Sequence, residues 1–176
     1  MSGPLITDEY RSQQAALHAT GRYGRAAKAY ARMVAQYMDR LKITSLLDYG
    51  CGSNRSLLTA LPLPADVVYE GYDPCVPEYS ADPLPADLVV CIDVLEHIEP
   101  ELLDNVLDHL ASLCDPYGFF SIHLGPAAKT LPDGRNAHLI QQPPAWWRLR
   151  LEPRFKVLQA IETPRALEVL VKRRAA

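Results

Sequence analysis

The sequence has no hydrophobic run that approaches the roughly 20 residues of a membrane-spanning helix. Its first residues also lack the basic stretch and apolar core that are typical of a secretory signal. The cysteines are few and include no Cys-x-x-Cys pair; they are Cys51, Cys75, Cys91 and Cys114. We therefore expect a cytoplasmic protein with reduced cysteines, no membrane contact and no metal site.

Length and composition indicate the size and class of the protein. The chain has 176 residues, of which 48% are hydrophobic and 22% are charged. These values are ordinary for a globular domain. We therefore expect one domain over residues 1–176, with N-terminal helices in residues 1–42 and an α/β core in residues 43–176.

Basic residues are almost missing from the middle of the chain. Residues 43–118 contain one Lys or Arg against fourteen Asp or Glu. In contrast, residues 1–42 carry a net charge of +4 and residues 119–176 a net charge of +6. Such segregation can steer a charged ligand. It predicts either attraction of an anionic ligand to the basic segments or simply a solvated surface charge.

An apolar strand runs into a glycine turn at residues 46–54, Leu-Leu-Asp-Tyr-Gly-Cys-Gly-Ser-Asn. Gly50 and Gly52 have no Cβ, so they tolerate positive φ and let a ligand approach the backbone. In doubly wound α/β folds, a strand, a Gly-x-Gly turn and a helix cradle a nucleotide cofactor. Asp48 places a carboxylate at the mouth of this turn. That charge disfavours a pyrophosphate and suits a cofactor with a cationic amino-acid end.

Three ordered segments resemble class I S-adenosylmethionine-dependent methyltransferases. Asp48-x-Gly50-x-Gly52 is similar to the first motif of that family. Residues 67–73, Val-Val-Tyr-Glu-Gly-Tyr-Asp, are similar to its second strand and the acid that ends it. Residues 86–97, Ala-Asp-Leu-Val-Val-Cys-Ile-Asp-Val-Leu-Glu-His, closely resemble its fourth strand and the Asp-x-Leu-Glu-His that follows.

The resemblance covers residues 45–172 and implies a fold, an activity and a cofactor. The fold is a Rossmann-like, doubly wound, mainly parallel sheet with an antiparallel last strand, here preceded by two N-terminal helices. The activity is methyl transfer, and the cofactor is S-adenosylmethionine.

The resemblance also implies which residues bind the cofactor. Asp48 orders the glycine turn and reaches the cofactor's ammonium group directly or through water. Gly50 and Gly52 let the backbone approach the methionine part of the cofactor. Asp73 accepts hydrogen bonds from both ribose hydroxyls. Asp93 borders the methyl donor and the acceptor.

Catalysis by such an enzyme demands little of the protein's own side chains. The sulfonium leaving group is already activated, so the protein mainly supplies proximity and orientation. A general base is needed only for a weakly nucleophilic acceptor. Asp93, His97 and His138 are the candidate catalytic residues, with His97 the candidate base because imidazole titrates near neutrality. The alternative is structural: an N-cap for Asp93, and hydrogen-bonded rings for the histidines.

The sequence predicts the side of the site that binds the acceptor less clearly. Residues 129–138, Lys-Thr-Leu-Pro-Asp-Gly-Arg-Asn-Ala-His, concentrate polar groups in one loop, where Lys129 and Arg135 suit a carboxylate or phosphate. We expect a small-molecule acceptor, with an anion as one option, between the N-terminal helices and this loop. Tyr23 and Tyr30 are candidates to cover the cofactor.

Local patterns predict the elements that carry these residues. Helices are expected at residues 7–20, with Thr7 as the N-cap, and at 23–41, 56–61, 99–113 and 145–151. Residues 99–101, Glu-Pro-Glu, open the fourth of these helices, with the proline in its first turn. Strands are expected at residues 45–49, 67–72, 88–92, 119–124, 155–162 and 166–172, with a turn at 116–118.

The segment between residues 74 and 86 departs from the family pattern. It contains four prolines, at positions 74, 77, 83 and 85. We therefore expect the family's helix to be absent here and its third strand to be absent or reduced to a few residues. Asp82 is the nearest candidate for the acid that meets adenine.

Other functions fit the sequence less well. Residues 93–96, Asp-Val-Leu-Glu, lack the Pro-Pro-aromatic sequence of DNA amino-methyltransferases. A nicotinamide dehydrogenase is disfavoured by Asp48. Two alternatives stay open: a cofactor-binding protein without methyltransferase activity, and a methyltransferase that acts on nucleic acid, which we consider the less favoured acceptor. The oligomeric state is not predicted.

Overall fold

A single mixed sheet organises the protein. The computed structural model describes residues 3–19 and 24–175. Its strands are β1 Ser45–Tyr49, β2 Val68–Tyr72, β3 Ala86–Ile92, β4 Cys114–His123, β5 Phe155–Glu162 and β6 Ala166–Arg173. They lie in the order β2-β1-β3-β4-β6-β5. The first four strands in this order, β2, β1, β3 and β4, run parallel to one another, whereas β6 runs antiparallel to β4 and to β5. The predicted mainly parallel sheet with an antiparallel last strand is confirmed.

Helices cover both faces of this sheet. The described residues contain four α-helices: α1 Asp8–Ala19, α2 Ala31–Leu41, α3 Leu103–Leu113 and α4 Pro144–Leu151. Thr7 caps α1 as predicted, because its Oγ1 accepts the N–H of Tyr10 at 3.2 Å. Within the described parts of the chain, no helix has both the length and the apolar character needed to cross a membrane.

The two core clusters follow from the alternation of side chains along the strands. Leu47 and Val89 point to the face covered by α3 and α4. Leu46 and Leu88, their chain neighbours, point to the opposite face, which α2 covers. Strands that are buried on both faces consist of continuous apolar residues, which is why these strands can be predicted from the sequence.

The predicted second helix and the short helix after the glycine turn differ from the structure. A 3₁₀ turn at Ala26–Tyr30 leads into α2, and the predicted start at Tyr23 lies outside the described residues. Residues 56–61 form successive turns. Six residues before Pro62 are too few to offset the cost of nucleating a helix.

The turn expected at residues 116–118 is part of β4. Tyr117 and Gly118 pair with Leu88 and Val89 of β3, so the strand begins earlier than its sequence predicts. Pairing with a central strand overrides the local turn preference of this Pro-Tyr-Gly segment.

The connection between β2 and β3 is short, as predicted. Residues 73–85 contain one 3₁₀ turn, Pro77–Tyr79, and neither an α-helix nor a strand. Backbone hydrogen bonds close this loop on itself: Asp73 N–H donates to the Tyr79 carbonyl at 2.9 Å, and Val76 N–H to that of Asp73 at 3.1 Å. The first residue of the loop is thereby fixed at the end of β2.

Candidate functional site

A cleft opens where the carboxyl ends of β1, β2 and β3 meet, which is the ligand-binding edge of open α/β sheets. Gly50 follows β1, Asp73 follows β2, and Asp93 follows β3, and all three line the cleft. The space between the surrounding atoms, counted up to the open mouth, is about 770 Å³. This volume includes open solvent at the mouth, so it is an upper limit on the space for a ligand.

The glycine turn forms the floor of this cleft. Gly50 has φ +82° and Gly52 has φ +64°, values that favour glycine. The N–H groups of Gly50 and Cys51 both donate to the Tyr72 carbonyl, at 2.7 and 3.1 Å, which ties the turn to the end of β2. A Cβ added to Gly50 would lie 2.3 Å from Cγ2 of Val94. Glycine is therefore required here both by conformation and by close packing.

Asp73 lies beside this turn, with its carboxylate turned toward the cleft. It is 5% exposed, and its oxygens accept the N–H of Gly52 at 3.0 Å and that of Cys75 at 2.9 Å. A carboxylate has about four acceptor positions, so two such bonds leave capacity for ligand hydroxyls. Nε2 of His18 lies 3.8 Å from Oδ2 of Asp73. Burial lowers the pKa of His18, although Asp73 opposes that shift.

Asp48 lies next to the glycine turn and is not among the residues that line the cleft. Its side chain is buried, and Oδ2 accepts the hydroxyl of Tyr69 at 2.8 Å. Burial raises the pKa of Asp48 to about 7, while the Tyr69 hydrogen bond acts in the opposite direction. The residue is placed to order the turn from behind.

Asp93 occupies the left-handed region, with φ +59°, which is uncommon for residues other than glycine. Its N–H donates to the Ser121 carbonyl of β4 at 2.9 Å, which anchors this conformation. The side chain of Asp93 interacts with that of Glu96, which is fully buried. Burial, together with the charge of Asp93, raises the pKa of Glu96 well above its usual range.

Two histidines stand beside Asp93. His97 lines the cleft, and its ring lies edge-on to that of His138, with centroids 4.6 Å apart. His138 in turn lies 4.9 Å from the ring of His123, at the end of β4. Burial lowers the pKa of His97 to about 4, so its imidazole is neutral at pH 7. The structure therefore brings the three candidate catalytic residues, Asp93, His97 and His138, into one cluster.

Helix α1 forms a wall of the cleft, and the sequence does not predict which of its residues face that cleft. Tyr10, Gln14 and His18, spaced four residues apart, line the cleft from one helix face. The Tyr10 hydroxyl donates to the His97 carbonyl at 2.6 Å. Glu99 accepts two hydrogen bonds from Thr7, one from its N–H and one from its hydroxyl. In the sequence, the i, i+4, i+8 spacing of Tyr10, Gln14 and His18 was the only indication that these residues share one helix face.

Other residues singled out in the sequence lie off the cleft wall. Tyr23 is outside the described residues, and the Tyr30 hydroxyl accepts a hydrogen bond from Ser121 at 2.7 Å. Arg135 forms an ion pair with Asp133 at 2.7 Å, and Asp82 is exposed. Trp147, in the short helix α4, is fully buried in the core.

Comparison with known proteins identifies the family. A sequence profile described as a methyltransferase domain matches residues 17–174. No curated protein sequence matches the chain significantly. Among solved structures, a 1,6-didemethyltoxoflavin-N1-methyltransferase from Burkholderia thailandensis, with bound 1,6-didemethyltoxoflavin and S-adenosylhomocysteine, aligns with a TM-score of 0.67 at 17% identity. The alignment covers 98% of this chain and 93% of that one.

Two further structures share the fold. An O-methyltransferase family protein from Burkholderia thailandensis has a TM-score of 0.59 at 14% identity, covering 92% of this chain and 63% of that one. A magnesium protoporphyrin IX methyltransferase from Synechocystis, with bound S-adenosylhomocysteine, has a TM-score of 0.54 at 17% identity, covering 98% and 90%. Since the family profile spans most of its length, the chain belongs to the methyltransferase domain family and is a class I S-adenosylmethionine-dependent methyltransferase, as its motifs predict.

Proposed function

We propose that this cleft transfers a methyl group from S-adenosylmethionine to a small-molecule acceptor. The observation that carries the proposal is the convergence of Gly50, Asp73 and Asp93 from three neighbouring strands on one cleft wall. The bound cofactor supplies an electrophilic methyl group on a sulfonium. The protein supplies binding, orientation and exclusion of water.

The residues at one end of the cleft fit this cofactor. The glycine turn provides a floor that a Cβ on Gly50 would disturb, because it would lie 2.3 Å from Cγ2 of Val94. Asp73 retains acceptor capacity for two ribose hydroxyls beside its bonds to Gly52 and Cys75. Asp48 would act from behind the turn, by holding the backbone that meets the methionine part. A cationic cofactor also suits the cleft, since Asp73, Asp93 and Glu99 line it and no Lys or Arg does among the described residues.

Asp93, His97 and His138 would face the acceptor at the other end. Asp93 can accept a hydrogen bond from an acceptor hydroxyl or amine, and so orient its lone pair toward the methyl group. The pKa of His97, about 4, makes it a weak base at pH 7. His97 could therefore act as a general base only toward an acceptor that gives up its proton readily, and this role stays a prediction.

The charge of the acceptor is a separate part of the proposal. The basic segments favour an anion, and Lys129 lies close enough to affect the pKa of His18 at the cleft. Arg135, however, is neutralised by Asp133. An anionic acceptor therefore depends on Lys129 or on a further positive group within the cleft.

Two measurements test the proposal. Calorimetry with S-adenosylhomocysteine should show binding to the wild type, and Asp73→Asn should weaken it by about 1–3 kcal/mol through lost charged hydrogen bonds. Glu78→Gln, which changes an exposed acid in the same loop, is the matched control. Equal affinities for the two variants would remove Asp73 from the cofactor site.

A methyl-label screen against metabolite pools and nucleic acids then tests the acceptor. Label in a small molecule supports the proposal, and the charge of that product decides whether the acceptor is an anion. Label found only in nucleic acid would favour the alternative acceptor. Tight cofactor binding without transfer to any acceptor would favour a binding protein without activity.

A further inference from the structure

The cluster beside the cofactor cleft has the composition of a metal site. One ligand atom each from Asp93, His97 and His138 can be chosen so that all lie within 4.8 Å of one another. Ligand atoms about 2.1 Å from one tetrahedral zinc ion are about 3.4 Å apart, so small side-chain rotations would complete the geometry. The three residues come from different segments: the end of β3, the following 3₁₀ turn Leu95–His97, and the long loop after β4.

Backbone hydrogen bonds orient both imidazoles in the manner of metal ligands. Nδ1 of His97 lies 2.7 Å from the Ala137 carbonyl, and Nδ1 of His138 lies 2.6 Å from the Gly125 carbonyl. A carbonyl oxygen can only accept, so each Nδ1 carries the proton and each neutral ring has its lone pair on Nε2. Donation of the second ring nitrogen to a carbonyl is the usual outer-shell arrangement of metal-binding histidine.

The long loop is itself fixed to present His138. The amide of Asn136 forms two hydrogen bonds with the backbone of Ala127, both at 2.9 Å, and its oxygen also accepts the N–H of His138 at 2.9 Å. The N–H of Ile140 donates to the Glu96 carbonyl at 2.9 Å, which joins the loop to the 3₁₀ turn. The position of His138 relative to His97 is thus determined by the backbone on both sides.

Glu96 provides an independent observation. It is fully buried, Oε1 accepts the N–H of His123 at 2.7 Å, and Oε2 accepts from no donor among the described residues. The carboxyl of Asp93 is the group with which it interacts. A fully buried carboxyl group beside that of Asp93 is stabilised by a shared proton or by a nearby cation.

We propose that Asp93, His97 and His138 bind one divalent transition-metal cation on the acceptor side of the cleft, with Glu96 supporting Asp93. Two imidazole nitrogens and one carboxylate oxygen favour zinc, iron or a similar ion over magnesium or calcium. This site departs from the expectation that the chain has no metal ligands. It also supplies the positive charge that the cleft wall lacks.

The cation gives the acceptor a chemical class. Three protein ligands leave coordination positions facing the cleft, which suit oxygen donors of an acceptor that carries a hydroxyl or carboxylate. An anionic acceptor could then bind although Asp73, Asp93 and Glu99 line the cleft. This part of the inference rests on the proposed function, whereas cation binding by the three residues does not.

The test is a titration of the chelator-treated full chain with Zn²⁺ and Co²⁺, followed by calorimetry and by visible absorption of Co²⁺. We expect one cation per chain, ligand-field bands from Co²⁺, and much weaker binding of Mg²⁺. His138→Gln and Asp93→Asn should each weaken Zn²⁺ binding by at least about 10–100-fold. His123→Gln is the matched control, because its ring lies 4.9 Å from that of His138 but outside the ligand group.

Absence of Zn²⁺ binding, or equal binding by the wild type and His138→Gln, would overturn the inference. A cooperative unfolding transition shows that each variant is folded, and for His138→Gln binding of S-adenosylhomocysteine shows it as well. A chain that binds S-adenosylhomocysteine but not Zn²⁺ refutes the metal site and leaves the proposed function standing. A chain that binds Zn²⁺ through these residues but not S-adenosylhomocysteine supports the metal site and counts against the proposed function.

Discussion

The buried carboxyl of Asp48 should make the stability of the protein depend on pH. Asp48 is 2% exposed, and burial raises its pKa from 3.8 to about 7. The folded state therefore holds the proton more tightly than the unfolded state does. The stability that this group contributes is fully present below about pH 4 and is lost as the pH rises through about 7.

The size of the effect follows from the shift. One pKa unit corresponds to about 1.4 kcal/mol, so between pH 5 and pH 8 the wild type should lose roughly 2–3 kcal/mol through this group. Asp48→Asn removes the titration while keeping the shape of the side chain. The free energy of unfolding of the wild type minus that of the variant should therefore fall by that amount from pH 5 to pH 8.

Urea unfolding at the two pH values measures this difference. Other buried acids, Glu96 among them, titrate in both proteins and largely cancel. Asp82→Asn is the control, because Asp82 is exposed and its substitution changes the charge of the side chain in the same way. If the wild type and Asp48→Asn differ by the same amount at pH 5 and pH 8, the carboxyl is not held protonated by burial and the reasoning fails.

Two further substitutions test the floor and the wall of the cleft. Gly50→Ala should lower the free energy of unfolding by roughly 2–5 kcal/mol. About 1–2 kcal/mol comes from the left-handed φ and about 1–3 kcal/mol from overlap with Val94. Gly134→Ala should cost only the energy of the left-handed φ, since Gly134 has φ +89° and no atom within 4 Å of an added Cβ. If both variants lose the same free energy of unfolding in urea, overlap with Val94 is not the cause of the Gly50→Ala loss. Tyr10→Phe should cost about 1–3 kcal/mol by removing a buried hydroxyl from the His97 carbonyl. Tyr79→Phe, whose hydroxyl bonds the exposed Glu78, should cost less than about 0.5 kcal/mol, and a similar loss in both variants would contradict the role given to Tyr10.

The parts of the site that follow β-strands could be predicted from the sequence. Gly50, Asp73 and Asp93 each come directly after an apolar strand, and the carboxyl ends of parallel strands meet at one edge. His97 follows within the same motif. Local pattern and parallel topology are sufficient to bring these residues together, so their proximity needs no knowledge of distant contacts.

Contacts between distant segments explain most of what the sequence did not predict. The Tyr10 hydroxyl reaches a carbonyl 87 residues away, and no local periodicity encodes that approach. Likewise, β4 begins at Cys114 because the segment pairs with β3, although Pro116 and Gly118 locally favour a turn. The sequence names His138 as a candidate catalytic residue but does not predict its place beside His97, because Asn136 and the neighbouring backbone, rather than a regular element, determine its position.

The short β2–β3 connection explains why α1 belongs to the site. The family's helix is absent between Asp73 and Ala86, so that connection covers little of the cleft beyond Pro74 and Cys75. Helix α1 lies across this opening: Arg11 donates to the Pro74 carbonyl at 2.6 Å, and His18 approaches Asp73. The apolar residues Leu5 and Ile6, just before the helix, line the same cleft. The N-terminal segment thus covers the cleft on the side that this short connection leaves open, and the hydrogen bond of Arg11 to Pro74 ties it to the loop that begins with Asp73.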